Sequence, residues 1–375
     1  MEMRELKILN LIDSNSLGGP EKYILGYAKG LDDSIKIAVS TFGSDGSDSP
    51  FLSQSHALKK INSFVIPCAH SYDPKQITNL IALARRGEYD IINSHGYRAD
   101  LIGLIASRVL SVPIVATFHG WTGSNSKVRF FDRIDRAVLK RMDHIITVSE
   151  ANKRRLQQSG IEETKMTVVP NAIDPEEFLG LSRLGRPEML REELGLSGDE
   201  KICICVGRLS FEKGQKVALQ AFASTIKEIP ECRLVFLGEG PEEGRLRKLG
   251  HELGVSNEVY FVGFRPNVID YLKFSDRILL PSLTEGLPTV VLEAFLCSKL
   301  VIATSVGGTP EVVRDRETGI LVPPNDPQSL SKAIIESFKD QKEMERIAQN
   351  ACQVVMAHHT FEKHVVKMER VFRTL

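Results

Sequence analysis

Two cations stand close together in Gly207-Arg208-Leu209-Ser210-Phe211-Glu212-Lys213-Gly214, directly behind an apolar run at residues 201–206. A planar guanidinium fork and a compact ammonium at that separation suit a diphosphate; a surface pair neutralised by Glu212 has the same spacing. Farther on, Ser282-Leu283-Thr284-Glu285-Gly286-Leu287-Pro288-Thr289-Val290-Val291-Leu292-Glu293 opens behind another apolar run. A helix beginning near Pro288 leaves the amides of Thr289 and Val290 in its first turn without intrahelical partners, a setting that attracts an anion. Glu285 precedes that helix and Glu293 rides its second turn. One carboxylate can then meet a sugar ring while the other grips hydroxyls deeper in. The remainder of the helix is apolar, which leaves Glu293 little reason to face solvent. Ser305-Val306-Gly307-Gly308-Thr309-Pro310-Glu311 repeats the pattern of a glycine turn feeding a helix.

The first half carries related chemistry. In Asp13-Ser14-Asn15-Ser16-Leu17-Gly18-Gly19-Pro20-Glu21 the two glycines stand just ahead of a proline suited to a first helical turn, so the backbone can approach a ligand closely. Strand-to-helix turns use glycine for structural reasons as well, and the loop is not a dinucleotide-binding fingerprint. His119, in Thr117-Phe118-His119-Gly120, follows an apolar run and sits where a strand would end at a ligand.

For these groups to converge, strands must end side by side. Short apolar runs alternate with longer amphipathic stretches almost from end to end, the pattern of parallel strands joined by helices. The runs predict strands at residues 6–12, 35–40, 63–67, 90–94, 114–118, 144–148 and 167–170, then 201–206, 233–237, 259–262, 277–281, 300–304 and 320–322. Most are apolar at successive positions, as strands covered on both faces are. The fold class is therefore α/β, with two doubly wound Rossmann-like domains facing across a cleft and ligands beyond the carboxyl ends of the strands. The first domain spans residues 1–175 and the second 176–357, with a charged, proline-bearing linker across 171–200. A final helix over 358–375 packs back on the first domain.

Composition agrees with two such domains. The chain has 375 residues, 42% hydrophobic and 26% charged, and its 48 Lys and Arg match 48 Asp and Glu, so no global field recruits nucleic acid. No secretory signal and no apolar run of spanning length are expected. The six cysteines (68, 203, 205, 232, 297 and 352) have no metal-ligand spacing and read as reduced thiols of a cytoplasmic protein. Locally, Lys127 to Arg155 holds nine Lys and Arg against four acids, with Arg129, Arg133, Arg136 and Lys140 on one helical face. Such a stripe could rest on anionic lipid headgroups, or be a solvated helix face.

Taken together, the Gly-Arg-Leu with Lys213-Gly214, the Glu285 and Glu293 pair, Gly307-Gly308-Thr309-Pro310-Glu311, Gly18-Gly19 and the Val169-Pro170-Asn171-Ala172-Ile173-Asp174 junction resemble the family 4 retaining glycosyltransferases of GT-B fold, over essentially the whole chain. The resemblance implies that Arg208 and Lys213 hold a donor diphosphate and that Glu293 holds the ribose hydroxyls. It sets Glu285 against the donor sugar, Gly18 and Gly19 near the phosphate and acceptor, and Arg265 beside the base. It places Leu287, Pro288, Thr289 and Val290 on the donor, and makes His119 the histidine that faces the transferred sugar. The family often has glycine where this chain has Pro288, which can donate no amide. No two aspartates lie two apart, so the Asp-x-Asp metal motif of other glycosyltransferases is absent and no metal is expected. The implied reaction moves a hexose or N-acetylhexosamine, with retention, from a nucleotide diphosphate sugar to a hydroxyl of a glycan or lipid-linked acceptor. A UDP-sugar is favoured over GDP-mannose, and the setting is cell-surface polysaccharide or glycolipid synthesis in the cytoplasm or on the inner membrane face. The alternatives are a nucleotide-sugar epimerase of related architecture and a two-lobe binding protein without catalysis.

Overall fold

The structure, a computed structural model, describes residues 4–14, 18–43, 49–58, 60–121, 126–181 and 188–375. Residues 15–17 of the glycine loop, 182–187 of the linker, and the side chains of Lys127 and Arg129 lie outside the described residues. The chain divides into two units: Met1–Ala172 with Phe361–Leu375, and Ile173–Thr360.

The first unit is built on seven parallel strands, β1 (Leu6–Ile12), β2 (Ile35–Gly43), β3 (Ile61–Pro67), β4 (Ile91–His95), β5 (Ile114–Phe118), β6 (His144–Thr147) and β7 (Met166–Val168), in the order β3-β2-β1-β4-β5-β6-β7. The second has six, β8 (Lys201–Val206), β9 (Cys232–Leu237), β10 (Val259–Gly263), β11 (Arg277–Leu280), β12 (Leu300–Thr304) and β13 (Ile320–Val322), in the order β10-β9-β8-β11-β12-β13. Helices cover both faces of each sheet, so the inner strands bury nearly every residue; β4, β5, β11 and β12 have no exposed position. In each sheet the winding reverses once, between β1 and β4 and between β8 and β11. Connections leave these neighbours in opposite directions, which opens a crevice beyond their carboxyl ends. The residues that follow β1, β4, β8 and β11 are thus the ones the topology presents to a ligand.

The thiols of Cys203 on β8 and Cys232 on β9 are buried 3.7 Å apart and unbonded, and Cys205 lies in the same core. The helix Phe361–Arg373 returns to the first unit and packs on the helix Gly19–Gly30. Contact is close because Gly26 has no side chain; a Cβ there would lie 1.8 Å from the Phe361 ring. From the same helix the His364 imidazole donates through Nδ1 to the Pro170 carbonyl at 2.8 Å, and burial lowers its pKa to about 4.

Candidate active site

The crevice of the second unit is shaped by the turns after β8 and β11. After β8 the chain runs through Arg208 into a short 3-10 turn, Phe211–Lys213, and ends it at Gly214 with φ 64°. Only glycine fits there, since a Cβ would meet the Pro281 carbonyl oxygen at 2.1 Å. The two turns are laced together by Leu283 N–H donating to the Glu212 carbonyl at 2.8 Å. That lacing sets the Lys213 ammonium 2.7 Å from Glu285 Oε1, which also accepts from the Ser282 hydroxyl at 2.7 Å. Gln215 Nε2 donates to the Arg208 carbonyl at 2.8 Å and steadies the backbone of the turn. The Arg208 side chain is exposed and enters no ion pair among the described residues.

The helix after β11 is Thr289–Leu296, its first turn preceded by Pro288 and capped by no side chain. Thr289 and Val290 are half-buried, and their amides, in the first turn, are left without an intrahelical acceptor. Leu287 and Glu293 are buried, Glu293 to 6% exposure, in keeping with the apolar face on which it rides. The turn after β12 closes on the same place: Gly308 N–H donates to the Gly286 carbonyl at 2.9 Å, and Gly307, with φ 52°, crosses the Glu285 carbonyl so closely that a Cβ would lie 1.8 Å from its oxygen. One locus thus holds an ammonium–carboxylate pair, a helix start and two buried or half-buried glutamates.

Arg265, after β10, is set differently from an open cation. Its Nε donates to the Tyr271 hydroxyl at 3.1 Å and its Nη2 to Glu193 at 3.2 Å, and these partners raise its pKa. The side chain is a bolt between the helix Glu188–Glu193 of the linker and the helix Val268–Phe274.

In the first unit the reversal between β1 and β4 carries polar side chains where an apolar strand would have none. Asn10 on β1 and Asn93 on β4 are register partners, both fully buried, and Asn93 Nδ2 donates to Asn10 Oδ1 at 2.9 Å. Thr117 Oγ1 on β5 donates to Asn93 Oδ1 at 2.9 Å, and the Tyr27 hydroxyl donates to Asn10 Oδ1. His95 at the end of β4 stands 3.2 Å from Asn93 through Nε2, and 3.2 Å from His119 Nε2 through Nδ1. Burial pushes both imidazoles below their ordinary range, His119 to about 4 and His95 well below 6.5, with His119 adding to the shift on His95. The edge of the Tyr23 ring, 5.6 Å between centroids, confines His119. Gly18 starts the helix Gly19–Gly30 with its N–H donating to Glu21 at 2.8 Å.

Of this buried polar chain the sequence singles out His119 but not Asn10, Asn93 or His95. The signal existed: a buried strand such as Leu6–Ile12 tolerates Asn only where partners satisfy it. Sequence also overstated the free charge of residues 127–155. Lys153 is paired with Glu163 at 2.8 Å, Arg155 donates to the Trp121 carbonyl at 2.7 Å, and Arg136 lies over the Trp121 ring at 4.7 Å. Arg133 and Lys140 remain exposed. An apolar stripe went unpredicted: Leu101, Ile105 and Val109 on the helix Tyr97–Leu110, and Phe130 and Ile134 on the neighbouring helix Ser126–Leu139, are all exposed. Among the described residues no helix is long and apolar enough to cross a membrane, and no three His, Cys, Asp or Glu side chains are grouped to hold a metal ion.

Two family descriptions match, Glycosyltransferase Family 4 over residues 17–177 and Glycosyl transferases group 1 over residues 188–354. An uncharacterized glycosyltransferase of Methanocaldococcus jannaschii is 25% identical over 378 residues, covering 95% of this chain and 94% of its own. The UDP-Gal:alpha-D-GlcNAc-diphosphoundecaprenol alpha-1,3-galactosyltransferase of Escherichia coli is 25% identical over 309 residues, covering 80% and 79%. Among solved structures, Anabaena HepE in complex with UDP and glucose superposes with a TM-score of 0.87 at 24% identity, covering 99% of this chain and all of that one.

Proposed function

We propose a reaction from one premise: the chain belongs to the family 4 glycosyltransferases of GT-B fold. The reaction is transfer of a hexose or N-acetylhexosamine from a UDP-sugar to a hydroxyl of a glycan or lipid-linked acceptor, with retention at the anomeric carbon. The observation that carries it is the Lys213–Glu285 pair beside the uncapped start of Thr289–Leu296, at the reversal between β8 and β11. Arg208, Lys213 and the amides of Thr289 and Val290 bind the diphosphate, Glu293 the ribose hydroxyls and Glu285 a hydroxyl of the sugar. As the glycosidic bond breaks, negative charge gathers on the departing phosphate, and the two cations and two amides meet it, Lys213 already held in place by Glu285. The same phosphate oxygen takes the acceptor proton, so no carboxylate nucleophile is needed. Charge neutralisation from side chains and the helix start also leads us to propose that no metal ion takes part; activity should survive EDTA.

The donor follows the relatives. The E. coli enzyme is described with UDP-Gal and HepE is bound to UDP, which favours UDP over GDP-mannose. The diphosphoundecaprenol in the E. coli enzyme's name favours a lipid-linked acceptor and a place in cell-surface polysaccharide or glycolipid synthesis. Incubating the protein with UDP-galactose, UDP-glucose and GDP-mannose tests this. Slow release of free UDP, faster with an acceptor extract, is expected. Sugar interconversion without free UDP would make the protein an epimerase, and no turnover of any donor a binding protein.

We further propose peripheral attachment to the cytoplasmic membrane face. The exposed Leu101, Ile105, Val109, Phe130 and Ile134 would enter the headgroup boundary while Arg133 and Lys140 meet anionic lipids. Flotation with anionic liposomes is expected to carry the protein, and Phe130→Asp with Ile134→Asp to release it. Equal flotation of the variant, or none of the parent, overturns the attachment.

A further inference from the structure

We propose that His95 is a positioning residue that holds His119 in its Nδ1–H tautomer, making His119 a hydrogen-bond donor to an oxygen of the bound sugar and not a base. The inference rests on the expectation, implied by the family resemblance, that His119 faces the transferred sugar; the tautomer itself follows from the hydrogen-bond chain and the neutrality of the two rings.

The chain has one fixed end. Asn10 Nδ2 lies 3.3 Å from the Ala38 carbonyl, which can only accept, so the Asn10 amide is oriented with Oδ1 toward Asn93. The Asn93 atom 2.9 Å from that oxygen must then be the nitrogen, and its own Oδ1 takes the Thr117 hydroxyl at 2.9 Å. Asn93 Nδ2 has a second hydrogen; His95 Nε2 stands 3.2 Å away, nearer than the Tyr27 hydroxyl at 3.4 Å, whose own hydrogen goes to Asn10. His95 Nε2 also approaches Asn10 Oδ1, at 3.4 Å, but that oxygen already accepts from Asn93 and Tyr27. Nε2 of His95 is therefore the acceptor, and its ring hydrogen sits on Nδ1.

That hydrogen points along the 3.2 Å contact to His119 Nε2, which must be bare to receive it. Burial keeps both rings neutral near pH 7, so each carries one hydrogen and the chain admits a single direction. His119 then bears its hydrogen on Nδ1, which enters no hydrogen bond among the described residues. A donor there selects a sugar with an oxygen at the contacted carbon, and it cannot withdraw a proton from an acceptor hydroxyl. The arrangement also accounts for two buried asparagines in adjacent strands: together they transmit the direction of one backbone carbonyl across β1 and β4 to the end of β5.

Long-range proton–nitrogen correlation of the histidine rings in the full-length protein reads the tautomers without substrate. In the parent protein the expected pattern is a protonated Nδ1 and bare Nε2 for both His95 and His119. Asn93→Asp keeps the shape but replaces the donor with an acceptor, so His95 should move its hydrogen to Nε2 and His119 should follow, exchanging Nδ1–H for Nε2–H. His95→Phe keeps a ring in place and should return His119 to a mixture. A bare Nδ1 on His119 in the parent protein, or a His119 tautomer indifferent to Asn93→Asp in a folded variant, overturns the inference. The functional reading is tested apart from it. His95→Phe should lower kcat about tenfold with the parent donor and leave a donor deoxygenated at the contacted carbon unaffected. Equal losses with both donors also overturn the assignment. The expected tautomers without turnover of any nucleotide sugar would overturn only the proposed reaction.

Discussion

Lys213→Ala is expected to lower kcat for sugar transfer by about 10²–10³, the scale seen when one preorganised group facing developing charge is removed. The ammonium is held at 2.7 Å by Glu285, on a turn that Gly214 and the Leu283–Glu212 hydrogen bond lock in place. Little reorganisation is then required when charge appears on the leaving phosphate. The substitution also leaves Glu285 with the Ser282 hydroxyl as its remaining side-chain partner, so a stability loss of about 1–2 kcal/mol accompanies it. Lys213→Arg should recover part of the rate, since the charge returns with a different reach. Steady-state release of UDP and thermal melts of the same preparations separate the two effects. A kcat within threefold of the parent's would remove Lys213 from the leaving-group site.

Gly307→Ala is expected to act as strongly, through the backbone. Its φ of 52° disfavours any side chain, and the added Cβ would lie 1.8 Å from the carbonyl oxygen of Glu285 and 2.8 Å from its carbon. Those are backbone atoms with no rotamer to yield, so the turn carrying Glu285 must move. A loss of roughly 3 kcal/mol is expected from strain and clash together. Displacement of Glu285 and of the helix start by about 1 Å should cost a further factor of about 10² in kcat/KM. Gly180→Ala, with nothing within 4 Å of the new Cβ, serves as the control and should change stability by less than about 0.5 kcal/mol. Comparable melts for the two variants would show that the Gly307 crossing is looser than its geometry implies.

Much of the fold was legible because parallel strands covered on both faces read as unbroken apolar runs. Lys201–Val206 and Leu300–Thr304 are bounded in the sequence where they are bounded in the structure. Errors lay at ends, and one mattered: reading 90–94 where the strand is Ile91–His95 left His95 out of view. The reversal points were not legible, because the adjacency of β1 with β4 and of β8 with β11 belongs to strand order and not to any local pattern. At the site, Lys213 and Glu285 could be matched by charge and position after their strands. Arg265 could not be placed so simply, because Glu193 and Tyr271, which engage its guanidinium, are distant or unremarkable in sequence. The apolar stripe escaped for the opposite reason: Leu101, Ile105 and Val109 recur at helical spacing, which in sequence alone is the signature of a core.

The return of Phe361–Arg373 to the first unit has a consequence for biosynthesis. Domains emerging from the ribosome generally fold in order, the amino-terminal one first. Here the first unit lacks a piece until residues 361–375 have been translated, since the surface formed by Gly26 and Tyr23 is filled by Phe361, His364 and Met368. The carboxyl-terminal unit, contiguous from Ile173 to Thr360, can be complete while its predecessor still waits. A nascent chain cut short near residue 360 would leave an unfinished apolar face for chaperones and proteases to find, so quality control can tell such a fragment by the missing helix Phe361–Arg373.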